Sequence, residues 1–252
     1  MSTVEDWAKQ IVANELGEIV EIHDDGSESG MYDLRIGSKN APEYAIECVG
    51  AVDPVATETW NVGPAKGPLK VNSAGDWIVS ITRSANIKSL NRGIANIIGQ
   101  CEDLGLTEYT PVDWQLRRFN AELFNALDGF GITSLYMYRE AGSSNAHLTM
   151  DGGGGPVSQS GDDVVGWVSK FLSSDDKADV VKKLRNSSAK EKHAFIPIVL
   201  GGAPWSVESY FFSEMPVPNI PPKLPEPITG VWITLNGKGV RYMSGQWHVF
   251  NC

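Results

Sequence analysis

Apolar residues recur at helical spacing at the start of the chain, where Val4, Trp7, Ala8, Ile11 and Val12 fall on one side of a helix over residues 3–16. Thr3 with Asp6 three residues on gives a capping-box start, and Gly17 supplies a left-handed end. The period then changes to two. Residues 18–23, 32–36 and 44–49 read as three short strands, parted by a turn-rich stretch at 24–30 and by Gly37-Ser38-Lys39-Asn40. Residues 53–60 predict a short helical turn, 61–76 a Gly-, Pro- and Lys-containing loop, and 77–82 a strand. The clearest helical stripe follows, with Ile87, Leu90, Ile94, Ile97, Ile98, Cys101 and Leu104 on one face of 86–104.

Beyond it, Pro111 in a first-turn position opens a helix with Trp114, Leu116, Phe119, Leu123 and Leu127 on its apolar side, and 132–138 is a strand. Residues 141–161, with four consecutive glycines at 152–155, read as a flexible loop. Asp162 or Asp163 caps a helix bearing Val164, Val165, Trp167, Val168, Phe171 and Leu172, and Asp175 or Asp176 caps another through Leu184. A buried-type strand at 194–200, a helix at 204–212, a six-proline extended connector at 215–227 and a hairpin turning on Asn236-Gly237 complete the chain. Mixed strands and helices predict an α/β (α+β) class, with a mixed central sheet flanked by helices. The expected organisation is a core over 1–140, the loop at 141–161, and a carboxy-terminal part over 162–252 that either completes the same sheet or forms a small second lobe.

Composition adds little to this picture; charge adds more. The 252 residues carry a net charge of -10. All of that excess lies in residues 1–60, where thirteen acidic side chains face only Lys9, Arg35 and Lys39. A globally basic nucleic-acid footprint is therefore absent, and such a face repels phosphates unless divalent ions neutralise it. Cys48, Cys101 and Cys252 are an odd set without metal spacing, which points to reduced thiols in a cytoplasm. No apolar run is of membrane-spanning length, and the first residues lack the pattern of a signal peptide.

The candidate chemistry lies between residues 15 and 60. Glu15 falls on the first helix, Asp33 at the start of one strand and Glu47 at the end of the next. Carboxylates on neighbouring strands can converge on one Mg²⁺, because hard cations prefer oxygen ligands, and such an ion activates water for phosphodiester cleavage. Glu15 would then be an accessory acid.

The order helix with Glu15, Asp33, Glu47-Cys48-Val49 on a strand, then a strand and a long helix resembles the PD-(D/E)XK nuclease superfamily. The run from Asp33-Leu34-Arg35-Ile36 through Tyr44-Ala45-Ile46-Glu47-Cys48-Val49-Gly50 to Asp53-Pro54 is similar to a group of actinobacterial and phage proteins. Shorter pieces of that similarity recur at 77–79, 86–104, 152–155, 191–195 and 224–232. The resemblance implies a restriction-endonuclease-like core with a carboxy-terminal helical and hairpin extension. It also implies Asp33 and Glu47 as metal ligands, Glu15, Asp33 and Glu47 as catalytic residues, Mg²⁺ as cofactor and DNA or RNA as substrate. An active member carries lysine two residues after the Glu; this chain has Val49. The expected site is thus degenerate unless Lys39, Lys66, Lys70 or Lys88 supplies the amine.

Other features carry weaker chemistry. None of His23, His147, His193 and His248 pairs at ligand spacing; His193, after Glu191-Lys192, is the best placed as a polar site residue. The glycine tract lacks the Lys-Ser/Thr of a phosphate loop. Arg83, Lys88, Arg92, Arg117 and Arg118, near Trp77 and Trp114, could form a local basic patch. A non-catalytic alternative follows from the acidic amino-terminal segment: a binding protein, phage- or mobile-element-borne, that engages a basic host protein through that face.

Overall fold

The computed structural model describes residues 3–111, 113–140, 144–151, 157 and 160–252. The chain is mixed α/β, with two mixed sheets, and it divides into two compact units. Unit 1 comprises 1–52 with 154–252, and unit 2 is 53–153. This differs from the expected division at 140 and 162. Unit 2 interrupts the first sheet, and the carboxy-terminal part completes that sheet instead of standing apart.

Unit 1 opens with helix α1 (Val4–Leu16), where Thr3 and Asp6 cap each other reciprocally and Gly17 closes the end at φ 69°. Strands β1 (Val20–Ile22), β2 (Leu34–Ser38) and β3 (Ala41–Cys48) pair antiparallel in turn. In unit 2, helix α2 (Pro54–Val62) is capped by Asp53, and strands β4 (Leu69–Lys70) and β5 (Gly75–Ile81) replace part of the expected loop. Helix α3 (Ile87–Asp103) buries the anticipated stripe of Ile87, Leu90, Ile94, Ile97, Ile98 and Cys101. Each such side chain contributes about 1.5–3 kcal/mol on burial. After β6 (Glu108–Tyr109), Asp113 rather than the Pro111 turn starts α4 (Trp114–Phe119), and Asn120 starts α5 (Ala121–Gly129). Strands β7 (Ile132–Glu140) and β8 (Asn145–Met150) follow, the second inside the stretch read as a loop. The sheet order is β4-β8-β5-β7-β6. Its core joins Trp77, Val79 and Ile81 to the α3 stripe and to Leu123 and Leu127.

Returning to unit 1, α6 (Asp162–Leu172) has Gly161 at its cap position, so Asp162 and Asp163 are first-turn residues, not the cap. A 3₁₀ turn at Asp175–Lys177 leads into α7 (Ala178–Asn186). Strand β9 (Glu191–Pro197), α8 (Trp205–Phe212), β10 (Gly230–Leu235), β11 (Lys238–Met243) and β12 (Gln246–Asn251) complete the unit. The sheet runs β1-β2-β3-β9-β10-β11-β12, with β3, β9 and β10 parallel to one another. The predicted hairpin turns on Asn236 and Gly237, both at positive φ.

Alternation assigns the two faces of this sheet. Tyr44, Ile46, Phe195 and Trp232 pack with Ala8, Ile11 and Val12 of α1. Ala45, Ala194, Ile196, Val231 and Ile233 pack with α6, α7 and α8 on the other side. The strand and long helix of residues 75–103, expected to follow β3 in the core, belong instead to unit 2. Among the described residues no helix is long and apolar enough to cross a membrane.

Candidate functional site

Glu47 alternates with Ile46 and Cys48, so its side chain emerges on the α7 face of the sheet. The β2–β3 register pairs Leu34 with Ile46; one step further it sets Asp33 opposite Glu47. Both carboxylates are buried, at 9% and 4% exposure. The Cys48 backbone N–H donates to Asp33 Oδ2 at 2.6 Å, tying the end of β3 to Asp33. Lys183, on the face of α7 turned to β3, donates from Nζ to Glu47 Oε1 at 2.7 Å. It also stands 3.9 Å from Asp179, one helical turn back. Glu47 Oε2 is buried without a hydrogen-bond partner.

The electrostatics follow from this crowding. Burial pushes the Glu47 carboxyl up to about 7, with the Asp33 charge adding to it and the Lys183 ammonium opposing it. Asp33 is raised for the same first reason, opposed by the Cys48 N–H and Lys183 and reinforced by Glu5 and Asp24. Burial acts to lower Lys183, but the Glu47 hydrogen bond and the charges of Glu47, Asp33 and Asp179 hold it above its ordinary value. Burial and the neighbouring Asp33 charge push the Cys48 thiol up, which removes it as a nucleophile.

The structure thus brings Asp33 and Glu47 together and leaves Glu15 out. Glu15 lies toward the carboxy end of α1, on the opposite face of the sheet, with its carboxylate 3.6 Å from Arg241 of β11. The α1 acid that bears on Asp33 is Glu5, in the first turn. Val49 shares the Glu47 face but packs against the apolar cluster of α6, α7 and α8, so it supplies no polar group. The amine that meets Glu47 within unit 1 is that of Lys183, a residue the sequence did not single out. It stands 136 residues from Glu47 along the chain, so no local spacing links them. The one trace in the sequence is the position of Lys183 beside Leu184, which with Val180 forms the buried stripe of α7.

The remaining candidates resolve differently. Trp77 is fully buried in unit 2 and is no stacking platform. The glycine tract at 152–155 lies outside the described residues, as does the Trp114 side chain. His193 is fully buried on the α1 face and accepts a hydrogen bond at Nδ1 from Trp232 Nε1 at 3.2 Å. Comparison with protein-family models, with curated proteins and with solved structures finds no match to this chain.

Proposed function

We propose that this chain is a nuclease-like protein of the PD-(D/E)XK type. In this reading Asp33 and Glu47 hold a divalent ion, and Lys183 provides the amine that Val49 lacks. The observation that carries the proposal is the 2.7 Å contact of Lys183 Nζ with Glu47 Oε1, beside a second buried carboxylate, Asp33, immediately before the adjacent strand β2. The donor set suits a hard cation. Glu47 Oε2 is buried and unpartnered, one Asp33 oxygen is fixed by a backbone N–H, and two carboxylates without sulfur or imidazole favour Mg²⁺ or Mn²⁺. When bound, such an ion would offset the charge of the substrate phosphate and make water a better nucleophile.

The chain's own groups have separate tasks. The Cys48 N–H fixes the Asp33 carboxylate, and the β2–β3 pairing keeps it opposite Glu47, so both oxygen donors are preorganised. Lys183 is a compact ammonium on a flexible stem, suited to neutralising charge that develops on a phosphoryl oxygen. Release of Glu47 by Lys183 frees both partners for these tasks.

Labelled single- and double-stranded DNA and RNA, incubated with Mg²⁺ or Mn²⁺, test the reading. Product is expected from the wild type and not from the Asp33→Ala/Glu47→Ala double variant. Equal product from both, or none from the wild type, would overturn it.

A further inference from the structure

The two sheets present four edges, and three of them are blunted. Strands β4 and β6 are two residues long, and β1 is three with Glu21 at its centre. Short and charged edge strands resist pairing with another chain. Strand β12 lacks both devices. Its six residues, Gln246-Trp247-His248-Val249-Phe250-Asn251, include no proline, lysine, arginine, aspartate or glutamate, and its register with β11 runs unbroken.

This edge is held in place from both faces of the sheet. Trp247 is buried on the α6–α8 side and donates its indole N–H to the Ile220 carbonyl at 2.7 Å. Phe250 is buried on the α1 side, edge-on to Trp232 at 5.7 Å. Between them Val249 is an apolar side chain left 38% exposed. An incoming strand would meet a template already ordered, which reduces the entropy cost of docking.

The ladder fixes which main-chain groups face out. The Cys252 N–H donates to the Gly237 carbonyl at 2.8 Å, one step beyond the pairing of Lys238 with Asn251. Hydrogen-bonded positions alternate along an antiparallel pair. Gln246, His248 and Phe250 therefore turn their main-chain groups to β11, and Trp247, Val249 and Asn251 turn theirs outward. Among the described residues no backbone group outside the sheet takes up the N–H or C=O of these three. A second β12, run antiparallel about a two-fold axis at Val249, meets all of them. Val249 then faces its own counterpart, and Trp247 faces the second copy's Asn251. An axis through His248 or Phe250 instead leaves one outward residue opposite no strand residue. The central pair is β-branched and no acid or base faces its like. Strands β1–β3, within the acidic segment 1–60, lie at the far end of the sheet, so the two copies need not bring them together.

We propose that β12 is a self-pairing edge, through which two copies of this chain join into one continuous antiparallel seam with its two-fold axis at Val249. The seam lies four strands from β3, about 19 Å across the sheet, and is independent of the Asp33–Glu47 chemistry.

Sedimentation velocity of the intact protein from about 1 µM to about 200 µM tests this, with a shift from monomer to dimer expected. Val249→Pro removes an N–H that faces outward, so β12 keeps its bonds to β11. The dimer loses two hydrogen bonds at its axis and should bind about a hundredfold more weakly. Val249→Lys and Val249→Glu leave an exposed side chain exposed, and each alone should stay monomeric because like charges meet at the axis. Mixed in equal amounts, these two variants should form a dimer again, which a misfolded chain could not do. A wild-type monomer at every concentration would overturn the proposal and leave the edge to a strand of another protein. A dimer unmoved by Val249→Pro, or a Lys–Glu mixture that stays monomeric, would overturn it as well.

Discussion

The two units bury polar groups to different ends. Among the described residues of unit 2 the buried polar ones are Thr59 and Asp76, and Asp76 accepts the Asn145 backbone N–H at 2.9 Å across the sheet. Among the same described residues its buried atoms without partners, Thr133 Oγ1 and Asn145 Oδ1, are neutral. Unit 1 buries Asp33, Glu47, His193 and Glu208, and its unpartnered atoms include Glu47 Oε2 and His193 Nε2. Glu208 shows that burial of charge is not itself a sign of function. Its Oε1 accepts the Gly201 and Ala203 N–H groups and ties down the loop after β9. Arg35 Nε and Arg241 Nε are unpartnered as well, so among the described residues the costly desolvated ionisable atoms all fall in unit 1.

The largest expected effect falls on unit 1 chemistry. Lys183→Met should lower metal-dependent cleavage about 10²–10³-fold, the range for removing one preorganised charge-stabilising group. Val49→Lys in the Lys183→Met background should recover part of that loss, because position 49 shares the Glu47 face. Rates measured under single-turnover conditions check both. Full activity of Lys183→Met would make the contact a structural ion pair and erase the contrast with unit 2.

Next in size is a core truncation in unit 2. Ile97 is 2% exposed within the α3 stripe, and Ile97→Ala should cost about 2–5 kcal/mol by lost transfer energy plus the cavity left behind. Amide exchange in 75–135 should accelerate correspondingly, while single-turnover cleavage by the folded protein stays within about twofold, since none of the proposed groups is in that unit.

How far the sequence announced this arrangement depends on the range of each interaction. The α1 capping box, the α3 stripe and the Asn236-Gly237 hairpin are local, and their positions are close to those expected. The juxtaposition of Asp33 and Glu47 is local in origin: Asp33 immediately precedes β2, and a short turn joins β2 to β3. Glu15 was misplaced because helical spacing shows which residues share a face of α1, not which face of the sheet α1 covers. Lys183 and the β3–β9 pairing were invisible, because unit 2 separates the partners and parallel pairing leaves no turn signature. Strand β8 escaped because Ala146 and Leu148, its buried positions, sit among small residues that resemble a loop.

The pH response should separate the units on a smaller scale. Glu47 is raised from 4.5 to about 7, so the folded state binds its proton more tightly than the unfolded chain. That contribution is fully present below pH 4.5 and is lost as pH rises through about 7, to a total of about 3 kcal/mol in metal-free protein. Glu47→Gln should therefore flatten the fall in unfolding free energy between pH 5 and 8. Denaturant melts in a chelating buffer measure it, and an identical slope for both proteins would show that Lys183 fully compensates the buried charge.

The smallest effect comes from paired helix caps, one in each unit. Thr3 accepts the Asp6 N–H at the start of α1, and Asn86 accepts the Ser89 N–H at the start of α3. Thr3→Ala and Asn86→Ala should each cost about 1 kcal/mol, the usual value of an N-cap side chain. Their consequences should nonetheless diverge. The first turn of α1 carries Glu5, whose charge raises the Asp33 carboxyl, whereas no acid stands in the first turn of α3. Fraying in Thr3→Ala should let Glu5 drift and bring Asp33 back toward the ordinary carboxyl range, visible in a carboxyl-carbon NMR titration. Asn86→Ala should leave that titration unmoved at the same stability loss. A shift in both variants would trace the change to global loosening, and a shift in neither would remove Glu5 from the surroundings of the site.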